Sequence, residues 1–183
     1  MAGEYDMLEK IFVILRVIRI KLKNRKNVNY IWPGYQCGKV LFDSDKSICL
    51  NIDKSAMFSE GCILKIREGA NLTIGKNCFF NNNCFINVRC KLDIGNNTIF
   101  GPGVVIVDND HDYHISDFGT NFLLSEIKIG NNVWVGANAI ILRGSIIEDG
   151  AIIAAGTIVK DHVEENTMVY QKRNYEKKKI IRS

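Results

Sequence analysis

Two of the three histidines in this chain, His111 and His114, lie in one polar stretch, GVVIVDNDHDYHISDFGT, Gly103 to Thr120. A hydroxyl group is a poor nucleophile at neutral pH. An imidazole within hydrogen-bond reach can take its proton as the oxygen attacks a carbonyl carbon, which accelerates such a step by about 10²–10⁴. His111 is the expected base. Asp110, Asp112 or a backbone carbonyl is placed to fix its tautomer. A backbone N–H near Ala137 would stabilise the oxyanion, so no covalent intermediate is required. His114 either contacts the acceptor or shapes the loop, and His162 reads as a surface residue. Two rival readings use the same stretch. One is a zinc enzyme, but zinc needs about three protein ligands and no third histidine lies near this pair, so no metal is expected. The other is a non-catalytic scaffold whose loop is merely structural.

The stretch matters because it interrupts a regular scaffold. Ile129, Val135, Ile141, Ile147, Ile153 and Val159 recur every six residues. Four residues after each of the first five comes a small or β-branched side chain: Val133, Ala139, Ser145, Ala151 and Thr157. Upstream, Ile52, Phe58 and Leu64 keep the spacing, as do Ile74, Phe80 and Ile86, and then Ile94, Phe100 and Ile106. The phase slips by two residues between these groups, so longer corners are expected there. Six is not a helix period. It fits short flat strands with glycines supplying positive φ at the corners. Such hexapeptides signal a parallel β-helix, with about 18 residues per triangular coil and coils stacked at roughly 4.8 Å. A sandwich of short strands would space its turns more freely.

Composition agrees. The 183 residues suit one domain, and 46% hydrophobic residues with two prolines argue against disorder. Of six cysteines, Cys62, Cys78, Cys84 and Cys90 fall at the small inward positions of the repeat, where a thiol acts as a small hydrophobe. Reduced thiols in a cytosolic protein are expected. Residues 1–26 hold seven Lys/Arg and residues 172–183 hold six, whereas the middle of the chain nets −5. An acidic body with two basic ends argues against nucleic-acid binding.

Met7 to Asn27, MLEKIFVILRVIRIKLKNRKN, is interrupted by Arg16, Arg19 and Lys21 and cannot span a bilayer. It reads as an amphipathic helix packed on the protein, or one that allows peripheral contact with an anionic membrane. The expected organisation is an N-terminal helix and linker at 1–29, a β-helix domain at 30–170 with a projecting loop at 107–126, and a basic tail at 171–183.

IGNNVWVGANAIILRGSIIEDGAIIAAGTIVKD, Ile129 to Asp161, together with IGKNCFFNNNCFINV and IGNNTIFGPGVVIVDNDH, resembles the hexapeptide-repeat acyltransferases. The resemblance covers roughly residues 50 to 165 and is nearest to the maltose, galactoside and polysaccharide O-acetyltransferases. It implies an all-β, left-handed β-helix, a homotrimer, and acetyl-CoA in a groove between adjacent prisms. It also implies an acetyltransferase acting on a hydroxyl of a sugar or surface-polysaccharide precursor, with an amino-sugar N-acetyltransferase as the alternative. His111 matches the family's base, and Asn81 matches an acceptor-contacting asparagine. Trp134 would lie at the cofactor tunnel, with backbone near Ala137 and Ala155 facing the pantetheine arm. Lys160, with Lys172 or Arg173, would meet the phosphates. The chain departs from the pattern in four places. Asp112 follows the histidine where proline is common, and Val88 and Arg89 stand where the maltose-type enzymes have a carboxylate. Tyr170 to Lys172 replaces a G-x-P, and the acceptor-binding N-terminal segment is not recognisable. These differences bear on the acceptor and on the cofactor's distal contacts.

Overall fold

The computed structural model describes residues 40–117 and 119–172, together with Leu15, Ile18, Arg19, Lys21, Leu22 and Val28. The first coil is β1 (Leu41–Ser44), β2 (Cys49–Ile52) and β3 (Met57–Phe58). The second is β4 (Ile63–Ile66), β5 (Asn71–Ile74) and β6 (Phe79–Phe80), and the third is β7 (Phe85–Val88), β8 (Lys91–Ile94) and β9 (Ile99–Phe100). The fourth opens with β10 (Val105–Val107) and leaves the prism as β11 (Asn109–His111) and β12 (Phe122–Leu124). It then resumes as β13 (Ile127–Ile129) and β14 (Trp134–Val135). The fifth is β15 (Ile140–Leu142), β16 (Ile146–Ile147) and β17 (Ile152–Ile153), and the sixth is β18 (Ile158–Val159), β19 (His162–Val163) and β20 (Met168–Val169). The first, second and third strands of the coils form three six-stranded parallel sheets, so the chain is a parallel β-helix. Its corners fall between the first and second sheets, the second and third, and the third and first.

The repeat dictates this shape because one large side chain in each short strand, and two in each four-residue strand of the second and third coils, point inward and rest on their counterparts one coil away. Phe58, Phe80 and Phe100 stack along the axis, with ring centroids 4.7 and 4.4 Å apart. All three are buried. Truncating the middle one, Phe80→Ala, would cost about 3–5 kcal/mol, a large share of a domain's net stability. The small positions Val133, Ala139, Ser145, Ala151 and Thr157 are buried as the spacing predicts. The phase slips come from longer strands and not from the longer corners expected: β4, β5, β7 and β8 have four residues each. Equivalent residues are 22 apart between the first two coils, 20 between the next two and 18 between the fourth and fifth. Across the excursion they are 35 apart.

Two details differ from the sequence expectation. Positive φ falls on asparagine as often as on glycine. Asn77, Asn97 and Asn132 stand at φ 55–56° on the corner between the second and third sheets, and Asn97 and Asn132 each accept the side-chain amide of the asparagine one coil before. Gly130 and Gly136 are not left-handed. A Cβ at Gly136 would lie 2.6 Å from the nitrogen of Ala155, so glycine is required there by the close approach of coils. Cys62, Cys78 and Cys84 are buried free thiols, but Cys90 is only half-buried. It sits at a short corner between β7 and β8 rather than inside the prism, because its N–H is drawn to Asp108.

The outer surfaces of the three sheets are unlike. Outward residues in one register on the first sheet are Leu41, Ile63, Phe85, Val105, Ile140 and Ile158. On the third sheet they are Met57, Phe79, Ile99, Trp134, Ile152 and Met168. The second sheet instead carries ion pairs outside, Lys91 to Asp93 at 2.9 Å and Lys128 to Glu126 at 3.2 Å. The second sheet therefore carries charge outside where the first and third each carry an apolar row.

At the N-terminal end, Leu15, Ile18, Arg19, Lys21 and Leu22 are helical, with Leu15, Ile18 and Leu22 exposed, and Val28 bridges in parallel to Leu50. The rest of the expected helix and most of the basic tail, Arg173 included, lie outside the described residues. Among the described residues no helix is long and apolar enough to cross a membrane.

Candidate active site

The excursion leaves the corner between the first and second sheets, and its root is a buried carboxylate. Asp108 accepts the N–H of Arg89 at 2.8 Å on one oxygen and that of Cys90 at 2.7 Å on the other. The side-chain amide of Asn109 adds a third bond at 3.0 Å. Burying a carboxylate is costly unless it is so satisfied, and Asp108 is 1% exposed. Its own carbonyl accepts the N–H of Ser125 at 3.1 Å, which closes the neck of the loop. The third coil thus pins the point where the chain departs and returns.

Beyond the neck, β11 and β12 pair antiparallel, with Asn109 opposite Leu124, Asp110 opposite Leu123 and His111 opposite Phe122. The His111 and Phe122 ring centroids are 4.7 Å apart, and the guanidinium carbon of Arg89 lies 3.6 Å from the Phe122 centroid. On the other side, Arg143 of the fifth coil donates from Nε to Asp110 at 2.6 Å. The hairpin is held from coils on both sides, so His111 projects on a fixed arm. Of the carboxylates expected to orient its imidazole, Asp110 carries Arg143, and Asp112 accepts the N–H of His114 at 3.0 Å. His114 stands at the exposed tip against Tyr113, centroids 4.3 Å apart. His162 bonds Glu148 at 2.8 Å on the second sheet's side of the sixth coil, consistent with a surface role. That contact, with the N–H of Glu165, holds the Glu148 carboxyl below the usual carboxylate range. Among the described residues no three His, Cys, Asp or Glu side chains converge as metal ligands would.

The other expected site residues occupy a different edge. Asn81, Ala137 and Ala155 all lie on the corner between the third and first sheets, in successive regions of the stack. Trp134 is 54% exposed on the third sheet beside that corner. The backbone there has a specific pattern. The N–H of Asn82 is taken by the side chain of Asn81 at 2.7 Å. The next equivalent position is Pro102, which has no N–H. At Ala137 and Ala155 the N–H groups meet no acceptor among the described residues, while the Ala137 carbonyl accepts from Gly156 at 2.8 Å. Lys160 is exposed at the end of β18, on the corner that carries His111 rather than the one that carries Ala155. Within one chain, therefore, His111, His114 and Lys160 share one corner, and Asn81, Trp134, Ala137 and Ala155 share another. Sequence reasoning missed Asp108, Phe122 and Arg143. Only Arg89 left a trace, as a departure from the family pattern.

Residues 126–161 match the family model described as bacterial transferase hexapeptide (six repeats). The galactoside O-acetyltransferase of Escherichia coli (strain K12) is 34% identical over 101 residues, 55% of this chain and 50% of that protein. Nodulation protein L of Rhizobium meliloti (strain 1021) is 36% identical over 77 residues, 42% of each. The chain spans about half the length of the curated relatives it matches, or less. Among solved structures, an N-acyltransferase from Bacillus cereus in complex with dTDP and 3-hydroxybutyryl-CoA superposes with a TM-score of 0.55 at 15% identity. That match covers 92% of this chain and 85% of that one. A maltose O-acetyltransferase from Clostridium difficile 630 gives 0.50 at 23% identity, covering 86% and 82%. At these identities the structures speak for the fold. Residues 126–161 thus carry the transferase hexapeptide repeat, and the chain is similar in sequence to an O-acetyltransferase over about half its length and in fold to acyltransferases.

Proposed function

We propose that this protein moves acetyl from acetyl-CoA to a hydroxyl of a sugar or surface-polysaccharide precursor, with His111 as general base in a site between two copies of the chain. The observation that carries the reading is the division just described. A rigidly held histidine stands on one corner, and two open N–H donors with an exposed tryptophan stand on another. Neither edge alone can bind a long thioester and present a base to its carbonyl.

His111 takes the proton of the acceptor hydroxyl as its oxygen attacks the thioester carbon. An N–H such as that of Ala137 stabilises the oxyanion. Collapse breaks the C–S bond, the thiolate leaves with the proton returned by the imidazolium, and an ester remains. Ala155 offers a second donor, roughly 4.8 Å along the stack, for the amide-rich pantetheine arm. Lys160 and Arg173 are assigned to the phosphates, Asn81 and His114 to the acceptor. The relatives' names support an acetyl donor and a sugar acceptor.

Assembly follows from the outer surfaces. Apolar rows on two different sheets suit a heterologous contact, first sheet against third, which closes as a ring. Three copies would give three sites. The free thiols of the core fit a cytosolic location.

The test is release of free thiol from acetyl-CoA across a panel of sugars and amino sugars. Turnover with an acceptor hydroxyl, lowered about 10²–10⁴-fold in kcat by His111→Ala with the fold intact, is expected. Near-normal turnover by that variant would remove His111 from the role and bring forward His114. Transfer only to amines would favour an N-acetyltransferase. A fully active monomer at micromolar concentration would sink the shared site.

A further inference from the structure

The corner that carries the excursion also carries a column of cations, Arg67, Arg89, Arg143 and Lys160, from the coils on either side. Two are neutralised within the chain. Arg67 meets Asp43 at 3.0 Å and Asp45 at 3.7 Å, and Arg143 meets Asp110 at 2.6 Å. Arg89 and Lys160 have no carboxylate within ion-pair distance among the described residues. Lys160, toward the C-terminal end, is already assigned to the cofactor's phosphates. Arg89, on the other side of the His111 loop, has no such assignment.

Its position is unusual in three ways. The guanidinium carbon is 3.6 Å from the Phe122 centroid, the separation of stacked planes, and Phe122 also contacts His111. Its Nε is buried with no partner. The Oδ1 of Asn87, two residues earlier in β7, is likewise buried and unpartnered. Folded proteins rarely leave such groups unmet, so hydrogen bonding at this strip is incomplete within the chain. Stacking on an aromatic ring fixes the guanidinium plane and leaves its terminal N–H edge free, which is the geometry for bidentate recognition of a planar anion. The Phe122 ring links that edge to the face of the loop that bears His111.

We propose that Arg89 is a specificity residue that selects an acceptor sugar bearing an anionic group, carboxylate or phosphate, close to the hydroxyl that is acetylated. This rests on the transferase reading above and names the class of acceptor. The anion pairs with the terminal guanidinium nitrogens, and Phe122 holds both the guanidinium and the base in one relation to the acceptor. The acceptor then enters on the N-terminal side of the loop and the cofactor on the C-terminal side.

Binding decides the proposal without requiring catalysis. Methyl hexuronides and hexose 1-phosphates, each beside its neutral parent methyl hexoside, are titrated calorimetrically into the full-length assembled protein with CoA present. At least one charged series should bind about tenfold tighter than its neutral parents, since a charge-assisted bidentate pair is worth that much or more. Whether the carboxylate or the phosphate series responds identifies the anion. Arg89→Gln should abolish the preference while leaving CoA and neutral-sugar affinities unchanged, and Arg89→Lys should restore part of it. The preference should also weaken with added salt. If charged sugars bind no better than neutral ones in the wild type, or if Arg89→Gln keeps the preference, the proposal fails even where thiol release succeeds. If charged sugars bind through Arg89 but no thiol is ever released, the transferase reading fails, and with it the acceptor role, leaving Arg89 as an anion-binding site only. Where the glutamine variant does not fold, Arg89→Lys carries the comparison, and an undiminished preference in it overturns the assignment.

Discussion

His111 and Phe122 stand opposite one another across an antiparallel pair, with ring centroids 4.7 Å apart and planes inclined at 41°. The contact makes Phe122 a backstop for the imidazole, fixed in turn by the Arg89 guanidinium beneath it. The three groups come from one coil and from both arms of the hairpin. On the reading proposed above, catalysis should therefore depend on this ring.

Phe122→Ala removes that backstop. The hairpin projects from the prism, so the loss should hardly disturb global stability. We expect kcat to fall by about tenfold or more, because a base held loosely loses effective molarity, with little change in KM for acetyl-CoA. Phe122→Tyr should retain most activity. A drop in cofactor affinity with unchanged kcat would show that the ring serves the cofactor side instead.

Asp108→Ala should be felt as stability. It strands the N–H groups of Arg89 and Cys90 and the amide of Asn109 beneath the neck of the loop. Each buried unmet group costs about 1–3 kcal/mol, so a total near 3 kcal/mol is expected, or roughly 6–12 °C in Tm at this chain length. Thermal unfolding followed by circular dichroism measures it. A shift under 2 °C would mean that water replaces the carboxylate.

The prism was legible because stacking demands one inward side chain per strand, and Ile129 to Val159 keep that interval without exception. The corner occupied by each residue was not. Ala155 and Lys160, five positions apart, fall on either side of β18 and so project from different edges. The loop was visible as a break in spacing, and its histidines as chemistry. Its internal pairing was not visible, since the folding back of Phe122 onto His111 has no periodic signature. Asp108 read as one more polar loop residue. Its burial comes from the backbone N–H groups of the coil beside it, which carry no mark in the sequence.

Acid should loosen the last coils. The Glu148 carboxyl is held below its ordinary value, chiefly by the His162 side chain and then by the N–H of Glu165. A carboxyl with a depressed folded pKa contributes stability that is fully present above its unfolded value, near 4.5, and is lost as pH falls through the lower folded value. Asp149, held down by the side chain and N–H of Asn131, acts in the same direction on the same corner. Protection factors for hydrogen exchange at the amides of β19 and β20 should fall below about pH 4.5. In Glu148→Gln that acid-dependent fall should shrink. An unchanged acid limb in the variant would show that solvent screening cancels the contact.

The unlike outer surfaces lead to a matched test of assembly. Ile99 on the third sheet, Ile158 on the first and Ile146 on the second are exposed to similar extents, 48%, 46% and 44%. A glutamate at each changes the same side chain to the same charge and differs in the sheet that bears it. Burying one unpaired charge in an apolar contact costs about 3–5 kcal/mol, some 10²–10³-fold or more in association. Ile99→Glu and Ile158→Glu should therefore dissociate the assembly in sedimentation at micromolar concentration. Thiol release should be lost with it, because His111 and the open N–H groups of Ala137 and Ala155 would no longer share a groove. Ile146→Glu should stay assembled and active, since its neighbours Lys128 and His162 already face water. Dissociation by Ile146→Glu with the other two intact would place the contact on the second sheet, and the pairing of His111 with Ala137 across copies would then have to be abandoned.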